Sequence, residues 1–169
     1  MPSVLNPQPW LDALARGDEE ARKRATMAIG SFPLKGRIDV GPFVSALSSP
    51  DVKLVFWSVI GLGRSQSQAA QAVSALSSLA QGHPAFGIRQ AAISALRDIA
   101  PGEAISRSAT FQALRDSNAF VRREALQSIA AYPSISPTEV QLVRHLAGDP
   151  DESVVNWSAI VLRHHNVLP

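Results

Sequence analysis

The side chains with the most capacity for chemistry are four histidines, three tryptophans and a set of arginines and lysines, and no cysteine accompanies them. Without thiols, thiolate catalysis, disulfides and cysteine-ligated metals are all excluded. His164 and His165 are adjacent, and adjacent helical positions point about 100° apart, which suits them poorly to chelating one ion. Near a helix C-terminus such a pair instead sits favourably against the dipole. No phosphate loop, dinucleotide fingerprint or metalloprotease motif occurs in the chain, and no local signature supports a Ser-His-Asp arrangement at His83 or His145. The expectation is therefore no catalytic residues, no metal and no cofactor. One chemistry remains open, because Lys23, Arg24, Arg97 and Arg123 are candidates for neutralising phosphates. Asp18, Glu19 and Glu20 precede the first of these clusters by one turn, which favours local pairing on a solvated helix face.

The elements that position these residues are set by an internal repeat. Val121-Arg122 is followed by small Ala125, then Leu126 and Ile129, and the same pattern recurs around Arg22, Val55, Arg89 and Val155. The reference positions 22, 55, 89, 122 and 155 are spaced by 33, 34, 33 and 33 residues. A fixed period in this range marks stacked structural repeats. Within each copy the apolar residues return at helical spacing, so one face of a helix is buried. The residue three after each reference is Ala or Ser, which allows a neighbouring helix to approach closely. Pro50, Pro84 and Pro150 fit the first turn of these second helices, with Asp18, Ser49, Ser117 and Asp149 as N-caps. A first helix precedes each, near 7–16, 39–48, 68–81, 103–115 and 137–147. Ser136-Pro137-Thr138-Glu139 reads as a capping box with proline at the first helical position.

The stretch from Asp116 to Ile129, with Val-Arg at 121–122 and Asp-Pro-Asp at 149–151, resembles HEAT repeats, in particular the shorter HEAT-like variety that includes lyase-type repeats. The resemblance covers roughly residues 7–165. It implies a right-handed α-solenoid of about five helix pairs, with approximate repeats 7–32, 39–64, 68–100, 103–132 and 137–165 in one domain, 1–169. It also implies a ladder in which the Asp before a second helix and the Arg within it join neighbouring repeats. Asp116 and Arg122 match that pattern, Arg22 and Arg89 keep part of it, and Val55 and Val155 interrupt it. Family members tend to bind other macromolecules. Some DNA glycosylases are built of HEAT-like repeats, and Trp57, Trp157, Asp98 and Arg123 are the residues that would take their roles. Trp57 and Trp157 are three repeats apart, about 30 Å at roughly 10 Å per repeat, too far to share one base-sized pocket.

In a superhelix of this type the second helices resemble those that line the concave side. Their outward arc holds the plus-one, plus-five, plus-eight and plus-nine positions. Phe56, Trp57 and Ile60 leave the second helix of repeat two with hardly any polar face, and exposed aromatic patches mark interaction sites. Either these residues anchor a partner or the N-terminal segment with Trp10 folds over them. Gln90, Ser94, Arg123 and Gln127 would add polar specificity. Repeat five is apolar around Trp157, Ile160 and Val161, although terminal repeats need a polar outer face. Either Asn166-Val167-Leu168-Pro169 covers it or another copy of the chain does.

Composition sets the outer bounds. The 46% apolar and 18% charged content is that of a globular chain, and the net charge of +2 does not demand nucleic acid. The N-terminus lacks a basic region followed by a long apolar core, and the longest apolar run, 54–63, is about half a membrane span. The expectation is a cytoplasmic, non-enzymatic scaffold that binds a protein partner and no membrane. The alternative is nucleic-acid binding through Lys23, Arg24, Arg97 and Arg123.

Overall fold

The computed structural model describes residues 4–32 and 36–167. Ten α-helices lie among them: α1 (Gln8–Arg16), α2 (Glu19–Ser31), α3 (Gly41–Ala46), α4 (Val52–Ser65), α5 (Val73–Gly82), α6 (Phe86–Ile99), α7 (Ala104–Ala113), α8 (Ala119–Ala130), α9 (Pro137–His145) and α10 (Glu152–His164). They form an α-solenoid of five antiparallel pairs. The second helices α2, α4, α6, α8 and α10 each pack on the next to make one continuous layer. The first helices flank it. Two are shorter than the sequence spacing predicts. Helix α3 has only 6 residues, and a 3₁₀ stretch, Gln66–Ala72, occupies the start of the region expected to be helical before α5. Among the described residues the one β contact is an isolated bridge between Leu5 and Ile38. No helix there is long and apolar enough to cross a membrane.

The core runs along the seam between the layers. The small plus-three residues Ala25, Ser58, Ala92, Ala125 and Ser158 are all buried. So are the large plus-seven residues Ile29, Leu62, Leu96, Ile129 and Leu162. The buried serines cost little, because the hydroxyls of Ser58 and Ser158 donate to the backbone carbonyls of Leu54 and Val155 at 2.8 Å. Gly61 has a packing role, since a Cβ there would meet the ring of fully buried Phe43 at well under 3 Å.

The N-caps fall later than the sequence suggests. Asp18 caps α2 as expected, but Asp51, Asn118 and Asp151, rather than Ser49, Ser117 and Asp149, cap α4, α8 and α10. Pro50, Pro84 and Pro150 accordingly lie just outside the helices. The reason is a turn repeated before α4, α6, α8 and α10. At the position six before the reference, Ser49 Oγ, His83 Nδ1, Asp116 Oδ1 and Asp149 Oδ1 each accept the backbone N–H two residues on, at 2.8–3.1 Å. That turn uses up the residue and moves the cap two positions along. The capping box of Ser136 and Glu139 is present at α9.

The same turn carries the ladder. Arg89 reaches across to Asp116 with two bonds of 2.6 and 2.7 Å, and Arg122 reaches Asp149 with two of 2.7 Å. Each arginine also donates back to its own turn, to the carbonyl of His83 or Asp116 at 2.8 Å. Each rung therefore joins an Arg to an Asp 27 residues later, in the next repeat. A further bridge, Arg107 to Glu139 with two bonds of 2.6 Å, ties α7 to α9.

Candidate functional site

The outward face of the second helices is where α2, α4, α6, α8 and α10 lie side by side without a further layer. Phe56, Trp57 and Ile60 on α4 are half-buried. Phe56 and Trp57 meet edge to face with centroids 5.6 Å apart. Trp57 leans toward Gly30 of α2 and shares a cavity wall with Leu14 and Ala15 of α1. Trp10 does not close over this group; it stacks on Phe32, 6.0 Å away, which in turn carries the Arg64 guanidinium at 5.2 Å. The outcome lies between the two sequence alternatives, a patch with one edge tucked in and one edge accessible.

The largest accessible aromatic feature was not anticipated from the sequence. Phe86 at the start of α6 and Phe120 at the start of α8 are 45% and 49% exposed, and their rings stack across the two repeats at 6.0 Å. Arg123 lies over the Phe120 ring at 4.9 Å, a cation–π contact. The signal was available. Phe120 is two residues before its reference and Phe86 three before, so both lie one turn upstream of the outward arc, in the same direction. Counting forward from the reference leaves out that first turn.

Polar residues of α6 and α8 accompany the aromatic groups on this face. Gln90, Ser94, Arg123 and Gln127 are all half-buried there. Arg97 donates to Glu124 at 2.9 Å and to Ser94 Oγ at 2.8 Å, and lies 3.4 Å from Asp98. Its charge is thus compensated within the chain, which removes it as an anion-binding candidate. Arg24 lies 3.6 Å from Glu20 on an exposed helix face. At the far end, Trp157 is half-buried and Ile160 is 44% exposed, but Val161 is fully buried in the fold and belongs to no surface. Val161 points inward because it lies seven residues after Val154, two helical turns on and on the same buried side.

The C-terminal segment caps this end in part. Asn166 adopts a left-handed conformation, Asn166 N donates to Arg163 O and Val167 N donates to Leu162 O at 2.9 Å. This is a Schellman motif, and Val167 and Leu162 line one cavity beside it. Leu168 and Pro169 lie outside the described residues.

The titratable groups with displaced pKa values belong to structural pairs. Hydrogen bonding to Arg107 holds the Glu139 carboxyl down at about 2 despite partial burial. Burial pushes Asp116 up, but the hydrogen bonds from Arg89 and the Asn118 N–H outweigh it and bring it below the ordinary carboxylate range. Arg89 and Arg107 are raised by the same bonds. Burial raises Tyr132, whose ring lies under Arg107 at 4.8 Å. All of these shifts move groups away from neutral pH. Among the described residues no group of three or more His, Asp or Glu is arranged to hold a metal.

A family model described as HEAT repeats matches residues 7–97, just over half of the chain. The chain belongs to the HEAT-repeat family. No curated protein sequence matches it. Among solved structures, the complex of CpcE and CpcF of phycocyanin lyase from Nostoc is similar with a TM-score of 0.69 at 14% identity, covering 90% of this chain and 95% of that chain. A designed armadillo repeat protein in complex with peptide (KR)4 has a TM-score of 0.64 at 19% identity, covering 94% of this chain and 81% of the other. The MAST/Orbit N-terminal domain has a TM-score of 0.61 at 18% identity, covering 97% and 84%. At such identities these likenesses establish the fold, a solenoid of the HEAT and armadillo kind.

Proposed function

We propose that this chain is a non-enzymatic scaffold that binds a protein partner on the outward face of its second helices. The observation that carries the reading is the exposed Phe86–Phe120 stack with Arg123 on it, continuing along the face toward half-buried Phe56, Trp57 and Ile60. Aromatic residues and arginine dominate binding energy where they can be desolvated by a partner. Gln90 and Ser94 on α6 and Gln127 on α8 supply hydrogen-bonding groups on the same helices. The reading is supported by the designed armadillo repeat protein of similar fold, which holds a peptide.

The test is capture from nuclease-treated host lysate by immobilised wild type and by Phe86→Ser/Phe120→Ser. Both rings are about half exposed, so the variant should fold with an unchanged circular dichroism spectrum. A protein retained by wild type and lost with the variant is the expected result. Equal retention by both, or retention of nuclease-sensitive material alone, would overturn the reading.

A further inference from the structure

The ladder lacks a rung at a place that its neighbours define. Arg22 occupies the same repeat position as Arg89 and Arg122, and the residue 27 positions later is Ser49 where they have Asp116 and Asp149. Ser49 performs the turn half of the aspartate's task, accepting Asp51 N at 3.1 Å. A serine has no second oxygen of carboxylate charge to offer a guanidinium. Arg22 is exposed and makes no side-chain bond to any described residue.

That arginine borders a cavity of about 570 Å³ between α1, α2 and α4, whose walls include Lys23, Lys53 and Trp57. Neither lysine ammonium has an ion-pair partner among the described residues. The one carboxylate in the wall, Asp51, is engaged by the backbone N–H groups of Lys53 and Leu54 as the cap of α4. Three cations therefore face one carboxylate, an excess that matches a phosphate monoester, with a charge of about −1.5 to −2 at neutral pH. Trp57 contributes an indole to the wall, and an indole is a group on which flat rings stack. The volume lies in the range of small-molecule sites, about 300–1,000 Å³, and exceeds what a phosphate alone would fill.

We infer that this cavity binds a nucleoside monophosphate, with the phosphate among Arg22, Lys23 and Lys53 in place of the absent rung carboxylate and the base against Trp57. The site shares Trp57 with the edge of the partner-binding face but none of the residues changed in the tests, Phe86 and Phe120 there and Ser49 and Lys53 here, so either can fail without the other. The decisive variant is Ser49→Asp. It restores the carboxylate inside the chain and keeps the turn as Asp116 and Asp149 do. The new carboxylate should close a rung with Arg22 that competes with the ligand.

The experiment is calorimetric titration at low salt with adenosine monophosphate, inorganic phosphate, ribose 5-phosphate and a single-stranded oligonucleotide. Wild type, Ser49→Asp, Lys53→Glu and, as a distant-cation control, Arg163→Glu are compared. Expected are saturable binding of adenosine monophosphate, weaker binding of the two ring-free phosphates, and a loss of about tenfold or more in both Ser49→Asp and Lys53→Glu. Arg163→Glu should bind as wild type. No saturable binding of the nucleotide, unchanged affinity in Ser49→Asp and Lys53→Glu, or an equal loss in Arg163→Glu would each overturn the proposal. So would inorganic phosphate binding as tightly as the nucleotide, or binding confined to the oligonucleotide.

Discussion

Removing the carboxylate of Asp149 should detach the last repeat more than any exposed substitution can. Its two oxygens accept Arg122 Nε and Nη2 at 2.7 Å each, and Oδ1 also accepts Asp151 N at 2.9 Å. The two side chains are only 11% and 5% exposed, so water does not screen the pair as it would at the surface. In Asp149→Ala, Arg122 keeps a bond to the Asp116 carbonyl and the more distant charges of Asp116 and Asp151, but loses the one carboxylate in direct contact with its largely buried guanidinium. Breaking such a pair from one side costs about 3–5 kcal/mol. Asp149→Asn should cost less, about 1.5–3 kcal/mol, since the turn bond survives while the charge and one of the two bonds from Arg122 are lost. Against a total stability of about 5–15 kcal/mol the alanine variant is severe. Repeats interact only with their neighbours, so the loss should appear first in α10. Urea unfolding followed by the fluorescence of Trp157, in a background with Trp10 and Trp57 replaced by Phe, should report an earlier transition than circular dichroism of the whole chain. A double-mutant cycle with Arg122→Met isolates the coupling. A cost under about 1 kcal/mol, the value of an exposed pair, or equal costs for Asn and Ala, would refute the reasoning that the charge pair holds the repeats together.

Other expectations follow from single sites. Glu139 is held at about 2 by Arg107, against 4.5 ordinarily. Its folded pKa is depressed, so the associated stability is complete above about pH 4.5 and is lost as pH falls through about 2. The size is on the order of 3 kcal/mol, and Glu139→Gln should flatten that part of an acid-unfolding curve. Gly61→Ala drives a methyl group into the Phe43 ring, and overpacking of this kind costs about 1–3 kcal/mol, seen as a lower melting temperature. Asp51→Ala removes the cap from α4 and should cost about 1 kcal/mol in the same assay. Phe86→Ser, with its ring half exposed, should leave the melting temperature within about a degree or two, since surface changes stay within about 0.5 kcal/mol.

The solenoid was legible in the order of residues alone. A period of 33–34 residues with small plus-three and large plus-seven positions dictates which side of each second helix is buried, because helical geometry converts spacing into direction without reference to any other element. Ala125, Leu126 and Ile129 are buried on that ground alone. The same arithmetic placed Gln90, Ser94 and Gln127 on the outward arc, where they stand half-buried. The resemblance to HEAT repeats, rather than the spacing, marked Asp116 and Arg122 as ladder residues and left their partners open.

Partners were the province of the assembled repeats. Asp116 pairs with Arg89 and Arg122 with Asp149, each across 27 residues, and Arg97 is neutralised by Glu124 from the next repeat. Arg22, chemically the same side chain in the same register, meets a serine at position 49 and has no partner among the described residues. The stacking of Phe86 on Phe120 and the edge-on seat of Trp57 likewise depend on how closely two second helices approach. A helical repeat fixes the direction in which a side chain leaves its own backbone. Whether it meets a charge, a ring or solvent depends on the neighbouring repeat, through distances that no local spacing encodes.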